Sequence, residues 1–228
     1  MPAVDASAIA PVSRSGPLAD GRVHALGDLP LQPWRNGGGQ TRPVVSAALQ
    51  NEPLWRVSAA ELQASGPFSA FPGLHRQAML IAPLATDATP SVLTLMVDGQ
   101  AHALNQAGEQ MAFEGEAQVA LRLGGGPARF WNVMTRRGGA QATLRCWRAP
   151  ALTAMPTLTL PLPHSPLGPP DQVLLVLAGV ISVAGPDGAT RVLQAGELSL
   201  WPQAEALGCL AASPDAIVVQ TTLARRAA

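Results

Sequence analysis

The sequence predicts an all-β chain of many short strands closing into sandwich- or barrel-like units, and three observations carry that expectation. First, 22 glycines and 22 prolines punctuate 228 residues too often for long helices. Second, short runs with strand character stand between them, such as Val-Leu-Thr-Leu-Met-Val at 92–97, Val-Ala-Leu-Arg-Leu at 119–123 and Val-Leu-Leu-Val-Leu at 173–177. Third, the chain echoes itself. Val97-Asp98-Gly99-Gln100 leads to Leu104-Asn105-Gln106-Ala107-Gly108-Glu109, and Pro186-Asp187-Gly188-Ala189 leads to Val192-Leu193-Gln194-Ala195-Gly196-Glu197. Each block offers a hairpin turn, a short strand and then Ala-Gly-Glu, so two related β units are the economical expectation.

Taken in order, residues 1–20 mix Asp5, Ser7, Ser13, Arg14 and Pro17 and read as a loose tail without the apolar core of a signal peptide. Residues 21–149 form the first unit and carry the densest polar segment, at 31–42. The best helix candidate is weak and spans 59–64, where Ser65-Gly66-Pro67 stops it. Asp98-Gly99, Gly124-Gly125-Gly126 and Asp187-Gly188 read as tight turns in which glycine supplies positive φ. The proline-rich passage 150–170 is the connection, and 171–228 the smaller second unit.

Composition narrows the function classes. Hydrophobic residues make up 47% and charged residues 13%, a globular composition with length enough to bury a core. Formal net charge is zero, which gives no electrostatic reason to expect nucleic acid or an anionic membrane as partner. The basic residues are all arginine and tyrosine is absent, so lysine Schiff-base chemistry and a tyrosine acid or base are ruled out. Cys146 and Cys209 lie far apart, as in a reduced cytoplasmic protein. No apolar run is long enough for a membrane-spanning helix.

The residues that could carry chemistry fall in three segments: Trp34-Arg35-Asn36-Gly37-Gly38-Gly39-Gln40-Thr41-Arg42, the stretch from Trp55-Arg56-Val57-Ser58 through Phe68, Phe71, His75 and Arg76, and Phe130 through Gly138. Strand alternation puts Arg56 with Ser58, and Asn132 with Met134 and Arg136. Arginines facing into a barrel need internal carboxylates or an anionic ligand, and carboxylates are scarce in this half of the chain. An arginine fork on a carboxylate forms charge-assisted bonds of roughly 1.5–3 kcal/mol each. The triple glycine lacks the Lys-Ser/Thr ending of a phosphate loop, and Pro43 follows too soon for a helix. His24, His75, His102 and His164 show no metal-ligand spacing, so no metal and no cofactor is expected. Ser58 and Ser69 lack a His-Asp partner pattern.

Pro-Trp-Arg-Asn-Gly-Gly-Gly-Gln-Thr-Arg (33–42), Trp-Arg-Val-Ser (55–58) with Gly-Pro-Phe-Ser-Ala-Phe-Pro-Gly (66–73), and Asn-Val-Met-Thr-Arg-Arg-Gly (132–138) together resemble the HutD/Ves family of cupin-like proteins, in order and spacing. The resemblance implies a bicupin, with two cupin-like jelly-roll barrels in one chain. It also implies a link to histidine utilisation, whose intermediates include small carboxylates such as urocanate and formylated glutamate derivatives. The chain departs from the family pattern at His75, where an acidic residue is usual, and at Phe130, where Asp is usual. The expected function is binding of a small carboxylate in a metal-free pocket, in an accessory or regulatory role. Trp34, Arg35, Asn36, Thr41, Arg56, Ser58, Phe68, Phe71, Arg76, Asn132, Met134 and Arg136 would line it. Two rivals stand beside this: a cupin-type isomerase or hydrolase using His75, Glu61 or Glu109 as base, and an interaction scaffold presenting Leu198, Leu200 and Trp201. Strand edges of such barrels are compatible with a homodimer.

Overall fold

The computed structural model describes residues 11–34, 37–82, 93–154 and 167–226. In chain order the strands are β1 (Ser13–Ser15), β2 (Val23–Ala25), β3 (Gln32–Pro33), β4 (Gly39–Leu49), β5 (Glu52–Leu62), β6 (Gly66–Pro67), β7 (Leu74–Ala82), β8 (Leu93–Val97), β9 (Gln100–Leu104) and β10 (Gln110–Glu114). Then follow β11 (Val119–Leu123), β12 (Ala128–Arg136), β13 (Ala140–Arg148), the short helix α1 (Ala149–Ala154), β14 (Asp171–Ala178), β15 (Val180–Ala184), β16 (Thr190–Gln194), β17 (Glu197–Trp201), β18 (Gly208–Ala212) and β19 (Ile217–Arg225). Two compact units result: one comprises 30–45 and 55–137, the other 1–29, 46–54 and 138–228.

In the first of these, β4, β5, β12, β7 and β10 lie side by side, faced by a second sheet ordered β6-β11-β8-β9. Leu62, Leu80, Leu93, Leu95, Leu121 and Phe130 fill the space between them. The Asp98-Gly99 turn joins β8 to β9 with φ of 48° and 82°, the left-handed pair a two-residue hairpin needs. The weak helix expected over 59–64 is instead the second half of β5. Ala59 and Ala60 are helix formers, but both are buried in a strand held by β12 from Trp55 to Leu62, and that packing overrides local propensity.

The second unit pairs a sheet ordered β13-β19-β14-β17-β2 with the three strands β16-β15-β18. Its core gathers Trp147, Leu152 of α1, Leu174, Val176, Ile181, Val183, Trp201 and Val218. The expected boundaries shift accordingly. β13 hydrogen-bonds to β19, and β2 to β17, so neither falls with the 21–149 unit read from sequence. Nor is the described part of the N-terminal tail loose. Leu18 is fully buried, and Arg14 makes two 2.7 Å bonds to the buried carboxylate of Asp171. Residues 1–10, and 155–166 of the proline-rich connection, lie outside the described residues. No helix among the described residues is long and apolar enough to cross a membrane.

The sequence echo is a structural one. Gly108 N donates to Leu80 O at 2.9 Å, and Gly196 N donates to Val176 O at 2.8 Å, each glycine at positive φ. Glu109 accepts from Asn105 N, and Glu197 from Gln194 N. The register also repeats. Leu80 pairs Phe130 beside a bulge ending at Ala82–Arg129, and Val176 pairs Val218 beside one ending at Ala178–Ile217. Strands β7, β10 and β12 thus correspond to β14, β17 and β19.

Candidate anion-binding pocket

Alternation along three neighbouring strands builds the floor of one cavity. Register places Arg56, Met134 and Arg76 in one row across β5, β12 and β7, then Ser58, Asn132 and Ala78, then Ala60, Phe130 and Leu80. Rows therefore run from polar at one end to apolar at the core. The cavity, of about 360 Å³, is lined by Gln32, Pro33, Trp34, Thr41, Arg56, Ser58, Ala60, Phe68, Ser69, Phe71, Arg76, Asn132 and Met134. That volume suits a small molecule. No Asp or Glu is among them.

Arg76 dominates the electrostatics. It is 6% exposed, and its Nη1 donates to the Ser69 carbonyl at 3.0 Å, while Nε is buried without a partner among the described residues. The guanidinium carbon lies 5.0 Å from the ring centre of Phe113, 5.1 Å from Phe71 and 5.6 Å from Phe68. Three of the chain's four phenylalanines thus surround one cation. Burial pushes its pKa down to about 10, so the group remains cationic at neutral pH. Neither Arg76 nor Arg56 forms an ion pair among the described residues. Aromatic faces offset part of the lost hydration, about 0.5–2 kcal/mol each, yet a bare buried cation costs several kcal/mol. An anion in the cavity would supply the missing charge.

Residues flanking the glycines, Gln32, Pro33, Trp34 and Thr41, complete the lining. Trp34 Nε1 donates to Thr41 Oγ1 at 2.6 Å, and its ring meets Phe68 edge-on at 6.2 Å. Gly39 is required by space: a Cβ there would stand 2.6 Å from the Glu61 carbonyl oxygen and 3.3 Å from the Trp34 ring.

Of the twelve residues expected at the site, Trp34, Thr41, Arg56, Ser58, Phe68, Phe71, Arg76, Asn132 and Met134 line this cavity. Arg35 and Asn36 lie outside the described residues. Arg136 does not line it. Although alternation puts it on the face of Met134, it pairs with Leu74 at the strand end, one row past the cavity floor. Gln32, Pro33, Ala60 and Ser69 line the cavity unforeseen; Phe113, outside the lining, packs on Arg76 unforeseen too, and Ser69 acts through its carbonyl, which no side-chain pattern reveals. None of the three base candidates lines the cavity. His75 alternates away from Arg76, Glu61 bonds Arg42 at 3.0 Å and Arg129 at 3.1 Å, and Glu109 caps its turn. Among the described residues no cluster of three His, Cys, Asp or Glu could hold a metal.

The corresponding positions of the other unit make a telling contrast. By register, Gln172, Gln220 and Thr222 stand where Arg76, Asn132 and Met134 do. There the polar groups satisfy one another. Trp147 Nε1 donates to Gln220 Oε1 at 2.8 Å, while Gln220 Nε2 and Thr222 Oγ1 both donate to Gln172 Oε1. Gln172 Nε2 donates to the Ala204 carbonyl. All are buried and neutral. Leu198, Leu200 and Trp201, proposed from sequence as a presented apolar surface, are also buried, because they pack β17 into its core.

Comparison with known proteins agrees with this architecture. A Pseudomonas putida protein described as an uncharacterized 21.2 kDa protein in the hutC 3′ region is 37% identical over 111 residues, covering 47% of this chain and 54% of that one. Protein Ves of Escherichia fergusonii is 31% identical over 119 residues, covering 51% and 59%. The chain thus spans about half the length of the curated relatives it matches. Among solved structures, HutD from Pseudomonas fluorescens SBW25 superposes with a TM-score of 0.67 at 23% identity, covering 90% of this chain and 99% of that one. A conserved Pseudomonas aeruginosa PAO1 protein of unknown function gives 0.70 at 24% identity, covering 89% and 97%. These two share the fold, which is all-β and cupin-like. The HutD family model matches residues 27–217, more than half of the sequence, and the chain belongs to the HutD family.

Proposed function

We propose that this protein binds a small carboxylate at Arg76, without a metal, as a cytoplasmic accessory or regulatory component and not as a catalyst. The observation that carries it is Arg76, a residue 6% exposed, lining a cavity with no carboxylate in its lining. Arg56 at the exposed end of the same row, and the Asn132 amide beside it, complete a cationic and hydrogen-bonding floor. Trp34, Phe68, Phe71 and Met134 supply an apolar wall for the ligand's body. The P. putida relative's hutC-region description favours ligands from histidine breakdown. The P. fluorescens HutD structure is described as a formate condition, which makes formate a natural first probe.

Thermal-shift measurements on metal-stripped protein with formate, acetate, urocanate, formylglutamate, formiminoglutamate, glutamate and histidine test this. A ligand binding only the folded state adds about 2.7 kcal/mol at a hundredfold excess over Kd. The expected result is a selective shift with at least one acid that Arg76→Gln abolishes. No shift with any acid, or a shift that survives Arg76→Gln, sinks the proposal. Turnover of any of these acids by the wild-type chain would replace it with the enzyme reading.

A further inference from the structure

The turn that carries Phe71 is clamped by residues that do not line the cavity. Phe71 N donates to the Gly115 carbonyl at 2.7 Å, and Gly115 N donates back to the Leu74 carbonyl at 2.7 Å. Gly73 N donates to Glu116 Oε1 at 2.8 Å, and Arg137 N donates to the Gly73 carbonyl at 3.0 Å. The Arg137 side chain pairs with Glu116 and Glu114, so the clamp is cross-braced.

Gly115 is needed for closeness. A Cβ there would stand 1.9 Å from the Phe71 carbonyl oxygen and 2.9 Å from that of Leu74, both backbone atoms that cannot swing aside. The held segment reaches Arg76 twice, through the Phe71 ring at 5.1 Å and the Ser69 carbonyl at 3.0 Å. A shift of the turn therefore reaches the guanidinium directly, and a binding group must be held within about 0.5 Å of its working position.

We infer that Gly115 and Glu116 are positioning residues for the pocket, clamping the 71–74 turn so that Phe71 and Ser69 hold Arg76 in place. The affinity part of this rests on the carboxylate reading above; the positioning part does not.

The test uses the full chain with Gly115→Ala and Glu116→Ala, the second of which removes the acceptor of the Gly73 N–H. Gly179→Ala is the control: its Cβ would meet Ser213 Oγ at 2.3 Å and Ala216 Cα at 2.8 Å in the other unit. The readouts are acetate affinity by calorimetry and the Arg76 Nε–H nuclear magnetic resonance signal, assigned by its loss in Arg76→Gln. Three rings near that group give its proton a distinctive shift. Both clamp variants are expected to move the signal and weaken acetate up to about tenfold, the effect of one hydrogen bond of roughly 1 kcal/mol or slightly more. Gly179→Ala leaves both unchanged. Should Gly115→Ala not fold, Glu116→Ala decides alone. Folded clamp variants with an unmoved signal and unchanged affinity overturn the inference. Should wild type bind no acetate, the carboxylate reading fails for that acid, and the signal alone decides.

Discussion

A guanidinium stays buried only if something replaces its water, and Arg76 has one carbonyl and three phenyl faces for the purpose. That is enough to keep it folded in and too little to neutralise it. Arg76→Gln should therefore cost no stability in anion-free buffer, and the denaturation midpoint should hold or rise by up to about 2 kcal/mol equivalent. A clear fall would mean that the cation contributes to stability by itself. At this scale much was legible beforehand. Alternation puts Arg56 with Ser58 in Trp-Arg-Val-Ser, and Asn132 with Met134 and Arg136 in Asn-Val-Met-Thr-Arg; that the two strands lie side by side, with Arg136 one row past the cavity, came only with the register. Phe113 was not legible as a wall of the Arg76 cage, because it lies on β10 and meets Arg76 only through pairing with β7. Phe130, noted as a departure from the family pattern, turns out to be fully buried in the core row, where it leaves the cavity floor without an acid.

Among the elements, β4 and β5 show why the glycine-rich segment is composed as it is. Gly39 lets β4 begin against the Glu61 carbonyl while the Trp34 ring packs over the same spot. Gly39→Ala should displace that ring and destabilise the fold by about 1–3 kcal/mol, as overpacking generally does. Thermal melting checks the loss, and a fluorescence change from Trp34 would locate it; an unchanged melt would show that the strand start yields freely. The turns were legible because glycine chemistry is local, as Asp98-Gly99 shows. The strand identity of 59–64 was not, because Ala-Ala-Glu-Leu favours a helix until β12 lies beside it. Likewise the membership of β2 and β13 depends on partners far along the chain, β17 and β19, that no local window contains.

For the whole molecule, the two units repeat one register with different solutions to the same buried polar positions. Gln172, Gln220, Thr222 and Trp147 close their network internally, so carboxylate titration by calorimetry should give one site per chain. A second site of similar affinity would show that the closed copy opens. The sequence echo disclosed the repetition through Ala-Gly-Glu, yet its meaning needed the register, since only pairing reveals that Gln172 stands in for Arg76. One copy finished its interior with its own side chains, whereas the other leaves a charge that, on the proposed reading, a metabolite completes. Such a metabolite would act as the last piece of the core. Its concentration would then set how often this unit opens to proteases, so the protein's lifetime in the cell would track the supply of its ligand.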